Sequence, residues 1–113
     1  MNILIVEDHQ LTCFGMKTAL KTANAEYNVI AEADTVKRAL ELLKSSVPID
    51  LVLLDIVLLD GNGLEIVNYI HPRKPELKIL VCSMETDFEM VQKLLKAGIN
   101  GFISKYASTE VLI

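Results

Sequence analysis

Four short apolar runs in this chain each lead into a residue able to do chemistry. Ile3-Leu4-Ile5-Val6 precedes Glu7-Asp8, Leu51-Val52-Leu53-Leu54 precedes Asp55, Ile79-Leu80-Val81-Cys82 precedes Ser83, and Phe102-Ile103 stands just ahead of Lys105. Carboxylates brought close together repel one another. A divalent cation relieves that repulsion, and an oxygen-only, carboxylate-rich shell suits Mg²⁺, which keeps several of its waters. Lys105 would add a fixed positive charge and Ser83 a hydroxyl donor. A carboxylate nucleophile, Mg²⁺, an ammonium and a hydroxyl together would serve phosphoryl transfer, where catalysis is mostly positioning and charge neutralisation.

That chemistry needs the four run ends to meet. Each run has the length and β-branched content of a fully buried strand. Helix-like stretches separate the runs, which predicts a parallel sheet wound with crossover helices. The C-terminal strand ends of such a sheet open onto one edge, where ligands bind.

Between the runs, residues 10–24 read as a helix with Leu11, Phe14, Ala19 and Leu20 on its apolar side, and 27–33 as a second strand. Asp34 or Thr35 can cap a helix in which Val36, Ala39, Leu40 and Leu43 follow the helical spacing, and Pro48 stops it before the next strand. Asp60-Gly61-Asn62-Gly63 reads as a turn, followed by a helix lined by Leu64, Val67 and Ile70 that ends near Pro72. Thr86 with Glu89 resembles a capping box ahead of Val91, Leu94 and Leu95, and Gly98 stands where a helix C′ glycine belongs. The count is five strands and four complete helices. Ser108 or Thr109 would cap a fifth helix that Val111-Leu112-Ile113 begin and that the chain cuts short.

Composition sets the bounds. The 113 residues are expected to form one domain spanning 1–113. An apolar share of 51% suits a sheet covered on both faces. A net charge of -4 argues against this segment itself gripping nucleic acid. No apolar stretch approaches the roughly 20 residues of a membrane span, and no signal segment opens the chain. Cys13 and Cys82 are not spaced as a metal site and read as buried free thiols, which points to the cytoplasm.

The residues together resemble the receiver domain of a two-component response regulator. The matching stretches are Ile3 to His9, Asp50 to Asp55, Asp60-Gly61-Asn62-Gly63-Leu64, Ser83, and Gly101-Phe102-Ile103-Ser104-Lys105, in order across nearly the whole chain. The resemblance implies a flavodoxin-like doubly wound α/β fold with strand order 2-1-3-4-5. It implies that Asp55 accepts a phosphoryl group from the phosphohistidine of a sensor histidine kinase. Asp8, Asp55 and the backbone carbonyl of Val57 would then hold Mg²⁺ directly, with Glu7 acting largely through water. Lys105 and Ser83 would contact the phosphoryl oxygens, helped by the backbone N–H of Met84, and Phe102 would occupy the position of the switch aromatic.

Asp8-His9, Ser83-Met84 and Lys105 followed by Ala107-Ser108 are similar to the NarL-like class, which implies a DNA-binding LuxR-type helix-turn-helix beyond the chain end and possible homodimers on phosphorylation. The alternative is a stand-alone receiver acting through protein contacts. An aspartyl-phosphate phosphatase would need an acid where Val57 stands, so no enzyme turnover beyond slow self-dephosphorylation is expected. A flavin-binding relative would want a phosphate loop where Glu7-Asp8-His9-Gln10 stands. The chain departs from the family pattern at Glu7 (commonly Asp), Leu59 (commonly Pro), Tyr106 (often Pro) and Phe102, which lacks a hydroxyl. His9 reads as the solvent-side start of the first helix, His71 as a surface residue, and Met16, Met84 and Met90 as packing groups.

Overall fold

The computed structural model describes residues 1–55, 57–58, 61–83 and 88–104. The apolar runs form strands and the stretches between them helices. In chain order they are β1 (Asn2–Val6), α1 (Gln10–Ala23), β2 (Asn28–Ala33), α2 (Val36–Lys44), β3 (Leu51–Leu54), the short strands β4 (Val57–Leu58) and β5 (Gly61–Asn62), α3 (Leu64–Arg73), β6 (Lys78–Ser83), α4 (Phe88–Ala97) and β7 (Gly101–Ser104). The main sheet runs β2-β1-β3-β6-β7 with every neighbour parallel. Numbered within that sheet alone the order is 2-1-3-4-5, the flavodoxin-like order expected. β4 and β5 pair antiparallel as a small hairpin, where the sequence predicted only a turn.

Alternate side chains of the inner strands go to opposite faces, and both faces are apolar. Leu4, Val6, Val52, Leu54, Ile79 and Val81 pack with Val36, Ala39 and Leu43 of α2, Ile66, Val67 and Ile70 of α3, and Leu94 of α4. Ile3, Ile5, Leu53 and Cys82 pack on the other face with Cys13, Met16 and Leu20 of α1. Full burial of one such side chain contributes about 1.5–3 kcal/mol, so the sheet is held chiefly by its two apolar faces.

The helices show where periodicity reads well and where it misleads. Thr35 caps α2, its Oγ1 accepting from the Arg38 N–H at 3.0 Å, and of the expected stripe Val36, Ala39 and Leu43 are buried and Leu40 half-buried. The extent of α1 is as expected, and so is the burial of Leu20, but the rest of its apolar face differs. Leu11 and Phe14 are 88% and 66% exposed, while Cys13, Met16 and Leu20 are buried. Those three share one face at i, i+3, i+7, and Leu11 falls about half a turn away from Cys13. Leu95 likewise faces solvent at 56% exposure, leaving Leu94 as the fully buried leucine of α4. Pro72 lies inside the last turn of α3, and the helix closes past it with a 2.7 Å bond from the Lys74 N–H to the Ile70 carbonyl.

Gly98 ends α4 as expected. Its φ is +106°, and its N–H donates to the carbonyls of Leu94 and Leu95 at 3.2 Å each. A Cβ at this position would collide with the ring of His71. Leu59, Asp60, Met84, Thr86, Lys105, Tyr106 and the expected fifth helix with its caps Ser108 or Thr109 lie outside the described residues. Among the described residues no helix is long and apolar enough to cross a membrane.

Gly98→Ala is expected to destabilise the fold by about 1–2 kcal/mol from backbone strain alone, with the His71 collision added. Urea unfolding of Gly98→Ala and of Gly98→Ala with His71→Ala separates the two contributions. Part of the loss should persist in the double variant, because removing the ring does not change φ.

Candidate functional site

Strand register builds the site. Val6 pairs with Leu54 across β1 and β3, so Glu7 and Asp55 are the next residues of two adjacent strands. The ladder continues past the strand ends: the Asp55 N–H donates to the Val6 carbonyl and the Glu7 N–H to the Ala33 carbonyl, each at 2.9 Å. Both acidic residues are only 4% exposed, Asp8 is half-buried, and His9 precedes α1 on the exposed side. One ligand atom from each of Glu7, Asp8, His9 and Asp55 lies within 4.8 Å of the others.

The carboxylates are oriented from their own loop. The His9 backbone N–H donates to Glu7 Oε1 at 3.1 Å. The ring of His9 turns back, its Nδ1 lying 2.9 Å from Glu7 Oε1 and 2.9 Å from Asp8 Oδ1. Sequence reading placed His9 correctly in solvent but missed this contact; its position two residues after Glu7, at the helix start, was the available signal. Two unit charges at the cluster's 4.8 Å limit repel by about 3 kcal/mol at an effective dielectric near 20, so a divalent cation among these oxygens would be strongly favoured. Three carboxylates supply the hard oxygen donors that Mg²⁺ takes, and the residues present fit that ion.

The other expected site residues are placed in part. Val57 stands in β4, two residues beyond Asp55, paired with Asn62. Leu54 pairs with Val81, so Cys82 flanks Asp55 and Ser83 comes one residue further along the same edge. Ser83 is described by its backbone alone, which pairs with Ser104. Lys105, next in the chain, lies outside the described residues. Phe102 is half-buried, paired with Val81 and packed against the larger apolar cluster.

A groove of about 810 Å³ adjoins the acidic cluster, lined by Glu7, Asp8, Cys13, Phe14, Lys17 and Glu32 among others. Within it Cys13 Sγ donates to Glu32 Oε1 at 3.1 Å and Lys17 Nζ to Glu32 Oε2 at 3.0 Å. Burial, then the hydrogen bond to Glu32 and its charge, push the Cys13 thiol up to about 12. The bonds from Cys13 and Lys17 hold the Glu32 carboxyl below its ordinary value. This clasp joins α1 to β2 across 15 and 19 residues of sequence, so no local pattern announced it.

The sequence model of the response regulator receiver domain matches residues 3–113, and the chain belongs to that family. It is 34% identical over 113 residues to the transcriptional regulatory protein DegU of Brevibacillus brevis, covering 100% of this chain and 47% of that protein. It is 36% identical over 112 residues to a cyclic di-GMP phosphodiesterase of Thermotoga maritima, covering 99% of this chain and 29% of that one. Among solved structures it is similar to a two-component response regulator of the LuxR family from Aurantimonas sp. SI85-9A1, at TM-score 0.88 and 26% identity over 98% of this chain and 78% of that one. The NarL-like resemblance agrees with relatives of this LuxR type. The chain spans less than half the length of the two curated relatives. Receiver domains are phosphoacceptors of phosphorylation-based signalling, generally without enzymatic activity, and bind Mg²⁺ at an acidic pocket.

With its thiol held so high, Cys13 forms thiolate only as pH approaches about 12. Near pH 8, where an ordinary cysteine is substantially ionised, folded chain is expected to resist iodoacetamide at Cys13 while unfolded chain is labelled. Peptide mass mapping of the two states checks this; equal labelling would show that burial and Glu32 do not hold the thiol.

Proposed function

We propose that residues 1–113 are one receiver domain working as a phosphorylation-activated switch, with Asp55 as its phosphoacceptor. The observation that carries this reading is the burial of Asp55 beside Glu7, with Asp8 in the same 4.8 Å cluster, at the C-terminal edge of a parallel sheet. In the transfer an Asp55 carboxylate oxygen attacks the phosphorus of a phosphohistidine on a sensor histidine kinase. An O–P bond forms as the N–P bond breaks. Asp8, Asp55 and the Val57 carbonyl would hold Mg²⁺, with Glu7 acting through water. Bound there, the ion supplies the positive charge that lets a phosphoryl group approach three carboxylates. Lys105, Ser83 and the Met84 N–H bond the phosphoryl oxygens.

Phosphorylation adds about -1.5 to -2 charges at Asp55. Ser83 is drawn toward the new oxygens, and Phe102 follows by packing, since it has no hydroxyl. Its half-buried position against the apolar cluster, paired with Val81 two residues before Ser83, supports that relay. The altered surface would favour dimerisation or release of an output domain. That output is transcriptional in this reading, through a DNA-binding domain outside this chain, supported by the relative named as a transcriptional regulatory protein. The setting is cytoplasmic, as two buried free thiols suggest. Val57 in place of a second acid leaves at most slow self-dephosphorylation.

Incubation with acetyl phosphate and Mg²⁺ should add one phosphoryl group by intact mass, with none in Asp55→Asn and little after chelation. An adduct that persists in Asp55→Asn would overturn the assignment. Addition of a beryllofluoride phosphoryl mimic should shift the NMR signals of the Phe102 ring; unchanged signals in chain that binds the mimic would rule out the relay through Phe102.

A further inference from the structure

We infer that His9 is a fourth ligand of the cation site and tilts it toward a borderline transition-metal ion of the Co²⁺, Ni²⁺ or Zn²⁺ kind, in competition with Mg²⁺. The inference rests on the reading of Glu7, Asp8 and Asp55 as a cation site and goes beyond it, because the carboxylates alone make an oxygen-only shell. His9 Nδ1 lies 2.9 Å from Glu7 Oε1 and 2.9 Å from Asp8 Oδ1. With metal–ligand bonds of about 2.1 Å, neighbouring donors in an octahedral shell stand about 3.0 Å apart and opposite donors about 4.2 Å. One donor atom from each of Glu7, Asp8, His9 and Asp55 already lies within 4.8 Å of the others, a span in which Asp8, His9 and Asp55 can meet one ion directly and Glu7 through water.

The loop already turns the ring toward the carboxylates. His9 occupies the N-cap position of α1, yet its side chain makes no capping bond to the helix. Its backbone N–H is tied instead to Glu7 Oε1 at 3.1 Å. The side chain is 67% exposed, outside the apolar core. Donor chemistry then separates the ions. Mg²⁺ takes oxygen and keeps water, and gains little from an imidazole. Later first-row divalent ions bind imidazole well, so His9 adds a bond for them alone.

Co²⁺ is the probe, because its visible spectrum and paramagnetic proton shifts report its ligands. In the parent chain Co²⁺ should bind one-to-one, with a strongly shifted, solvent-exchangeable imidazole N–H signal. His9→Gln should abolish that signal and weaken Co²⁺ by about tenfold or more, the size seen even for outer-shell changes, while Mg²⁺ affinity moves less than about twofold. Circular dichroism confirms that the variant is folded, as an exposed, non-capping position allows. Co²⁺ affinity unchanged in His9→Gln, or equal losses for both ions, overturns the role of His9. Asp55→Asn and Asp8→Asn distinguish the two levels of failure. If they weaken both ions while His9→Gln affects neither, only the His9 inference falls. If they too leave both ions bound as in the parent, the cation site itself falls.

Discussion

The pairing of β1 with β3 is the constraint on which the rest depends. With Val6 opposite Leu54, the next residue of each strand is a carboxylate, and both are buried. Like charges so placed repel one another. The sheet tolerates them because the strands that carry them are apolar on both faces. Three or four fully buried leucine or isoleucine side chains offset the repulsion at about 1.5–3 kcal/mol each, and β1 and β3 hold more than that. A bound cation would relieve the repulsion at that edge.

The elements around that edge divide the work. α2, α3 and α4 cover one face of the sheet and α1 the other, which leaves the loops after β1 and β3 at the C-terminal edge. Gly63 at the start of α3 is buried, and β4 and β5 pair antiparallel ahead of that helix. The hairpin puts Val57 in a paired backbone rather than a free loop. On the α1 side the Cys13–Glu32–Lys17 clasp ties the helix to the edge strand beside the groove.

Much of the fold was legible because the strands are short, apolar and separated by capped helices. Thr35 and Gly98 mark helix ends with the chemistry those ends require. The failures have a common cause. Leu11, Phe14 and Leu95 were assigned to apolar faces from their residue type, but a helix has one direction toward the sheet, and Cys13, Met16 and Leu94 occupy it. The hairpin at Val57–Asn62 was missed because two-residue strands carry no periodicity. The acidic cluster was legible as a set of strand ends, while the contact of His9 was not, because its place two residues after Glu7 allows a side chain to turn back on its loop without requiring it.

The sequence by itself determined the α/β class, the strand order through family resemblance, and the identity of the acidic residues, because burial patterns and turn chemistry are local properties. Only the tertiary structure decided which side of α1 faces the core, that the ring of His9 sits on Glu7 and Asp8, and that Glu32 binds both Cys13 and Lys17. The first and last depend on distances between elements far apart in the chain, set by sheet register and helix packing, and the His9 contact on which way one loop side chain turns, rather than on any residue's own preference.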